Sequence, residues 1–416
     1  MTAITTPSSS SFRRPVWLYA LTVAAFAVQT DDFVIVGVLR SIADGTGRSE
    51  TAAGQLVTVY SLVYALAAPA WSLLLDRVAR RTALLAALAV FCAANFAALF
   101  VGGSFPALMV LRAVAALAAA VVLPAALAAA STQAPPEQQG RYLATVMTGL
   151  TGAVLLGVPA GTWVGAALGW QATFAFGGLL GLAALAWAAV LLPVAERATE
   201  HRTVGDLIRP LLHGAVAAVL VVTVLTVAGN LAFQTYLQPF LSGLAGVSPR
   251  SLAVLLVCSG AGGILGTQYA GRLVDRWAPL RAFVLASCAF CAALVAFALL
   301  WVVRPVPVAV VAVLLMVWSA AAWAVPPSIQ ALMLARAGTR AAGQAVAVHS
   351  SSVYAGAALG GVLGGLVIAL RPGLLPMAAA FSVLVALALT LATRTRTAPR
   401  ARAVGGPERE RVQGPR

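Results

Sequence analysis

Two adjacent carboxylates, Asp31 and Asp32, stand inside a long apolar stretch, residues 16–39, and one arginine, Arg112, stands inside another, residues 106–131. An aspartate at the centre of a hydrocarbon layer costs roughly 2.5–3.5 kcal/mol on insertion scales, so an acid kept there reads as functional. Desolvation favours the neutral form of a carboxyl group, which suits it to take up and release a proton. Neighbouring helix residues point about 100° apart, so one of the two acids faces a given cavity. Counted from the ends of their apolar stretches at about 1.5 Å per residue, Asp32, Arg112 and Asn95 share a depth ~10 Å below one surface. A buried Asp–Arg pair keeps the acid ionised until a proton or a ligand separates it. The plainer alternatives are acids close enough to a helix end to reach water and an arginine that snorkels outward.

Other polar groups recur at helical spacing. Asn230, Gln234 and Gln238 repeat every four residues within 211–241. They form one polar stripe, either a wall of a substrate cavity or a set of interhelical hydrogen bonds. His349, Ser350, Ser351, Ser352 and Tyr354 make a second polar patch in 344–370. A histidine there either titrates near neutrality or packs through a hydrogen bond. Gly157, Gly161 and Gly165, and again Gly356, Gly360 and Gly364, form GxxxGxxxG ridges that let helices approach closely. Gly260, Gly262 and Gly266 imitate a dinucleotide fingerprint but lie in an apolar stretch and not after a strand, so they read as packing glycines. Cys288 and Cys291 form a CxxC that reads as small membrane-helix residues, with no metal site implied. No Walker loop, HExxH or GxSxG motif is present, which argues against an ATP-driven pump in this chain.

The elements that must position these groups follow from composition. The chain has 416 residues, 61% hydrophobic and only 9% charged, with mean hydropathy +0.94. A soluble domain carries about 25% charged residues. Twelve apolar stretches long enough to span a bilayer are predicted, over 16–39, 53–75, 82–102, 106–131, 141–168, 172–193, 211–241, 250–274, 282–303, 307–333, 344–370 and 374–393. None alternates with period two, which excludes a membrane β-barrel. The expected fold class is all-α and polytopic.

The net charge of +15 comes from 27 basic residues, all arginine, against 12 acids, and all but Arg112 are placed in short loops and tails rather than on a nucleic-acid-binding face. Arg13, Arg14, Arg77, Arg80, Arg81, Arg141, Arg197, Arg202, Arg209, Arg272, Arg276, Arg281, Arg336, Arg340 and the tail arginines fall on one side, against Arg40, Arg48, Arg250, Arg304 and Arg371 on the other. That bias predicts both termini in the cytoplasm. The first residues lack a cleavage site after a short apolar core, so they read as a tail and not a signal peptide.

The chain also repeats itself. The charged hinge at 72–81, SLLLDRVARR, returns at 271–281 as GRLVDRWAPLR, with Asp76 and Asp275 199 residues apart. At the same offset Asp31 maps to Asn230, Arg141 to Arg340 and Gly157 to Gly356. The expected organisation is a tail over 1–15, a six-helix bundle over 16–193, a linker over 194–210, a second bundle over 211–393 and a disordered tail over 394–416. Parallel repeats of this kind are the architecture of secondary transporters with a site between the halves. In the first hinge Asp76 precedes the next expected helix, where the N-terminal dipole favours a carboxylate. The hinges read as paired gate elements or as topology signals.

The hinge resembles the signature loop of the major facilitator superfamily, G-x-L-x-D-R-x-G-R-[RK]. Leu74, Asp76, Arg77, Arg80 and Arg81 fit it, while Ser72 and Ala79 replace its two glycines. The second copy keeps Gly271, Leu273, Asp275 and Arg276 and then departs at Ala278 and Pro279. TDDFVIVGVLRSIA at 30–43, the stretch 149–174 with Pro159 among its glycines, and TYLQPFL at 235–241 resemble helices of the twelve-span bacterial drug–proton antiporters of the arabinose-efflux and chloramphenicol-efflux type. Relatives carry an arginine where Arg112 stands, in a stretch richer in glycine. They often carry asparagine at the position of Tyr354.

The resemblance implies twelve spans in two pseudo-symmetric bundles and efflux of a small amphiphilic compound, a drug, natural product or sugar-like metabolite, by alternating access. It implies no cofactor beyond the proton gradient. It favours Asp32 as the proton-exchanging acid, with Arg112 setting its affinity, because Asp32 takes the place of the acid before phenylalanine. The polar stripe, the polar patch and the shared depth together place Asn95, Asn230, Gln234, Gln238, Tyr354 and His349 at the expected substrate cavity. The resemblance implies a cytoplasmic gate of Asp76, Arg77, Arg80, Arg81, Asp275 and Arg276. The expected setting is a bacterial inner membrane, the expected partners are substrate, protons and lipid with no nucleic acid, and a monomer is expected to suffice. A proton-coupled importer and a sensor that has lost transport are the alternatives.

Overall fold

The computed structural model describes residues 15–74, 78–135, 138–193, 205 and 214–394, without the side chains of 72–74, 249, 337–347 and 394. The expected segments 1–15, 194–210 and 394–416 therefore lie almost wholly outside the described residues, as do Asp76 and Arg77. Every regular element among the described residues is helical. Among the described residues, eleven helices are long and apolar enough to cross a bilayer, and a first span of two helices, Val16–Phe33 and Ile35–Thr46, bent by 47°, makes twelve. The others run Glu50–Leu74, Arg80–Ala97, Phe105–Gln133, Gln139–Leu168, Trp170–Leu191, Gly214–Thr235 continued by Leu237–Ala245, Pro249–Trp277, Pro279–Val302, Val308–Arg336, Val348–Leu370 and Leu375–Arg394. An even count puts both ends of the bundle at one face, here the terminal face. The opposite one is the far face.

Three boundaries differ from expectation. The first span runs to Thr46 rather than residue 39, because the apolar run stops at Arg40 while an amphipathic helix continues to the left-handed cap at Gly47 (φ 64°). Asp32 therefore lies mid-span, fourteen residues before the end, and not ~10 Å below a surface. The seventh span is broken at Tyr236, as Pro239 cannot donate to the carbonyl four residues back. The first span breaks at Val34, three residues before the position that the repeat offset pairs with Tyr236. The tenth and eleventh spans are joined without a gap in helical hydrogen bonding from Val308 to Leu370, where a loop was expected. The joining residues are rich in alanine, the strongest helix former.

Burial divides into three clusters. One lies within Leu18–Leu192 and another within Val216–Ala386. The third joins Ile35, Leu39, Ile42 and Leu56 to Phe233, Phe240, Leu241 and Leu244, so apolar side chains from both halves interlock towards the far face.

The glycine ridges position the site-bearing spans. Gly149, Gly157, Gly161 and Gly165 press the fifth span onto the first, against Thr22, Thr30, Val34 and Val38. Gly356, Gly360 and Gly364 press the eleventh onto the seventh, against Val224, Ala228 and Ala232. The two ridges are not equally demanding. A Cβ at Gly360 meets backbone, Ala228 O at 2.7 Å and Ala232 N at 2.9 Å, while a Cβ at Gly161 meets one methyl of Val34 at 2.6 Å. Gly360→Ala is expected to destabilise by about 1–3 kcal/mol. Gly161→Ala should be near neutral, since Val34 sits at the helix break and the lost glycine entropy offsets about 0.5–1 kcal/mol. Thermal unfolding in detergent, followed by tryptophan fluorescence, separates the two. Equal melting temperatures would refute the distinction.

Candidate transport site

The break in the first span has an identifiable cause. The last turn of its first helix leaves carbonyls without intrahelical partners. Val34 N–H donates to Thr30 O, and Arg112 Nη2 donates to Asp31 O at 3.3 Å. Arg112 Nη1 donates to Asp31 Oδ2 at 2.7 Å. A guanidinium inserted into a helical ladder is one of the few things that bend a helix without proline. Asp31 is 0% exposed and Arg112 2%. The guanidinium also lies 4.3 Å from the centroid of the Tyr60 ring, on the second span, a stabilising position for a cation. Asn95 reaches the same place from the third span, donating to Phe91 O at 3.1 Å. A Cβ at Gly177 would stand 3.3 Å from Asp31 Oδ1 and 3.5 Å from Asn95 Oδ1, so the sixth span also packs closely over this cluster.

This corrects the expected pairing. Arg112 holds Asp31, not Asp32. The two carboxylates diverge around the helix, as the 100° step requires. Asp31 turns into the first half, and Asp32 turns towards the second. Tyr354, from the eleventh span, donates its hydroxyl to Asp32 Oδ2 at 3.2 Å. Its ring stacks on Tyr64 of the second span at 3.6 Å between centroids and 18° between planes. Asp32 is 8% exposed. It is thus the acid that touches both halves.

The remaining expected site residues separate into two groups. Asn230 and His349 line one cavity in the second half, and Asn230 Nδ2 donates to Gln234 Oε1 at 3.2 Å. Gln234 does not line it, contrary to expectation, and neither does Gln238. Gln238 Oε1 accepts the Arg40 backbone N–H at 3.0 Å, while Arg40 Nη1 donates to Ser242 Oγ at 3.3 Å. The helix break at Tyr236 turns Gln238 off the face that carries Asn230 and Gln234. Together with the Thr51 hydroxyl on Gly365 O at 3.3 Å, these contacts join the halves at the far face.

At the terminal face Asp275 and Arg276 are exposed. Arg80 Nη1 donates to Ala128 O at 3.3 Å and Arg81 Nη2 to Ala189 O at 2.6 Å, tying the hinge to the fourth and sixth spans. Three contributors escaped sequence reasoning: Tyr60, Tyr64 and Arg40. The tyrosines are four residues apart on one span, a spacing that flags a shared face. Arg40 read as a loop charge because its apolar run ends there.

The geometry is that of two halves meeting over buried charge, and the comparisons agree with it. The family model described as Major Facilitator Superfamily matches residues 21–361. The "Uncharacterized MFS-type transporter YbcL" of Bacillus subtilis is 32% identical over 355 residues, covering 84% of this chain and 87% of that protein. A "Chloramphenicol resistance protein" of Streptomyces lividans is 36% identical over 267 residues, covering 63% of this chain and 67% of that one. Among solved structures, a D-xylose–proton symporter superposes with TM-score 0.72 at 16% identity, covering 90% of this chain and 96% of the other. A multi-pass membrane transporter and not an enzyme, the chain belongs to the Major Facilitator Superfamily.

Proposed function

We propose that this transporter expels a small amphiphilic compound in exchange for protons, with its terminal face in the cytoplasm of a bacterial inner membrane. The observation that carries the reading is the hydrogen bond from Tyr354 to Asp32 across the two halves. A carboxylate accepts such a bond strongly, and a protonated carboxyl accepts it less well. The protonation of Asp32 and the contact between the halves are therefore linked. Loading a proton weakens the tie, and releasing it restores the tie. The fixed Asp31–Arg112 pair supplies a charged neighbour whose field Asp32 feels in either state. The name of the Streptomyces relative supports efflux of a drug-like compound. At the cytoplasmic gate, Asp76, Arg77, Arg80, Arg81, Asp275 and Arg276 hold and release the hinges during each cycle.

The test is reconstitution in liposomes with chloramphenicol as first substrate and a pH-sensitive dye inside. Asp32→Asn is expected to lose substrate-driven proton movement while keeping substrate exchange between the two faces. Asp32→Asn vesicles that still move protons with substrate at the wild-type ratio would sink the assignment.

A further inference from the structure

A cavity of about 70 Å³ lies within the second half, apart from the Asp31–Arg112 cluster. Four polar side chains line it, Thr223, Thr226, Asn230 and His349, among apolar ones that include Phe290 and Ile329. One water needs about 10–15 Å³ of such space, so this cavity holds a group several times larger.

The hydrogen-bond directions around it can be assigned. Thr223 donates its hydroxyl to Val219 O at 2.9 Å. A hydroxyl has one proton to give, so in its contact with His349 Nδ1 at 3.4 Å it is the acceptor. With the Thr223 proton committed to Val219 O, this contact is best served by the Nδ1–H tautomer of the neutral imidazole, which offers Nε2 as an acceptor. Thr226 donates to Val222 O, which leaves its oxygen an acceptor too. Asn230 directs its amide N–H at Gln234, and its Oδ1 is buried with no hydrogen-bond partner. The polar wall thus presents acceptors. No charged side chain lines the cavity among the described residues. An acceptor without a donor in a buried site is costly, and a bound donor relieves that cost. A cation would be desolvated here with no carboxylate to pair it.

We infer that the cavity receives the hydroxyl- or amide-bearing end of an uncharged substrate, held by Asn230 Oδ1 and His349 Nε2. The inference rests on the transport reading and adds to it the substrate class, neutral and rich in hydrogen-bond donors. Specificity is then set in the second half, while proton exchange at Asp32 belongs to the first.

Equilibrium binding to the purified full-length protein tests it with three probes. Chloramphenicol is neutral and carries two hydroxyls and an amide N–H. Its diacetate blocks both hydroxyls. Tetraphenylphosphonium is a cation with no donor. Wild type is expected to bind chloramphenicol at least roughly fivefold to tenfold more tightly than the diacetate, the worth of one or two hydrogen bonds. Asn230→Leu should bring the two within about twofold. Thr226→Val, nearly isosteric, should narrow the gap partway and guards against a folding defect at position 230. Equilibrium binding needs no proton gradient, so a failure of proton coupling in the vesicle assay and a failure of this pocket are told apart. Equal binding of chloramphenicol and its diacetate by wild type overturns the inference. So does an unchanged preference in both pocket variants, binding of tetraphenylphosphonium alone, or binding of none of the three.

Discussion

Arg112→Leu is expected to cost about 3–5 kcal/mol of stability and to abolish transport. The substitution leaves Asp31, 0% exposed, without its guanidinium partner at 2.7 Å. It also strips the Arg112 donor from Asp31 O, so the main chain at the break loses a side-chain partner. Asn95, which reaches the same place, already gives its amide to Phe91 O. A buried pair is far more costly to halve than to remove outright. The double variant Arg112→Leu with Asp31→Leu should therefore recover most of the lost stability and none of the transport. Thermal unfolding in detergent and vesicle uptake, measured on the same preparations, check both parts. An Arg112→Leu protein as stable as wild type would mean that the pair is solvated. A double variant no better than the single would mean that shape, not charge, dominates the site.

The bundle was legible because the forces that make it are one-dimensional. Runs of apolar residues long enough to cross a bilayer are read directly, and the 199-residue offset between Asp76 and Asp275 aligns the glycine ridges that the structure places in matching helix contacts. The ends of the spans were less legible. Hydropathy falls at Arg40, but the helix continues, because amphipathic residues stay helical where one face is packed. That shift moved Asp32 from near a surface to mid-span.

The site was legible in its members and not in its pairings. A lone Arg112 and two adjacent acids in apolar runs announce a buried ion pair. Which acid is paired depends on helix rotation and on the bend at Val34, and the bend itself depends on the pairing. No local pattern encodes that loop of cause. Gln238 shows the same limit from the other side. Its spacing from Asn230 and Gln234 places it on their face of a continuous helix, and one proline a residue away breaks the helix and sends it to Arg40 instead.

Gly260→Val is expected to hold the halves apart at the far face and to slow transport without unfolding the protein. A Cβ at Gly260 lies 2.6 Å from Leu155 Cα, 2.9 Å from Val154 O and 3.1 Å from Leu155 N. These are backbone atoms of the other half, so no side-chain rotation makes room. They belong to the π-helical turn Ala153–Gly157, with Pro159 just beyond it, a segment already committed to an unusual geometry. Overpacking of this kind costs typically 1–3 kcal/mol. Here the cost falls on one conformation, the one in which the eighth span meets the fifth. A difference of 1–3 kcal/mol between two states changes their ratio by roughly 5–150-fold. The readout is a cysteine at position 238, in a protein with Cys92, Cys258, Cys288 and Cys291 replaced by alanine. Gln238 is 4% exposed under the far-face closure, so a membrane-impermeant maleimide should label Gln238→Cys slowly. Adding Gly260→Val should speed that labelling by at least about fivefold, while the melting temperature moves little because the nearest contacts of Gly260 are not with its own bundle. Unchanged labelling with full transport would show that the halves do not need this contact to close. Lost transport with a collapsed melting temperature would show that the glycine serves folding and not the cycle.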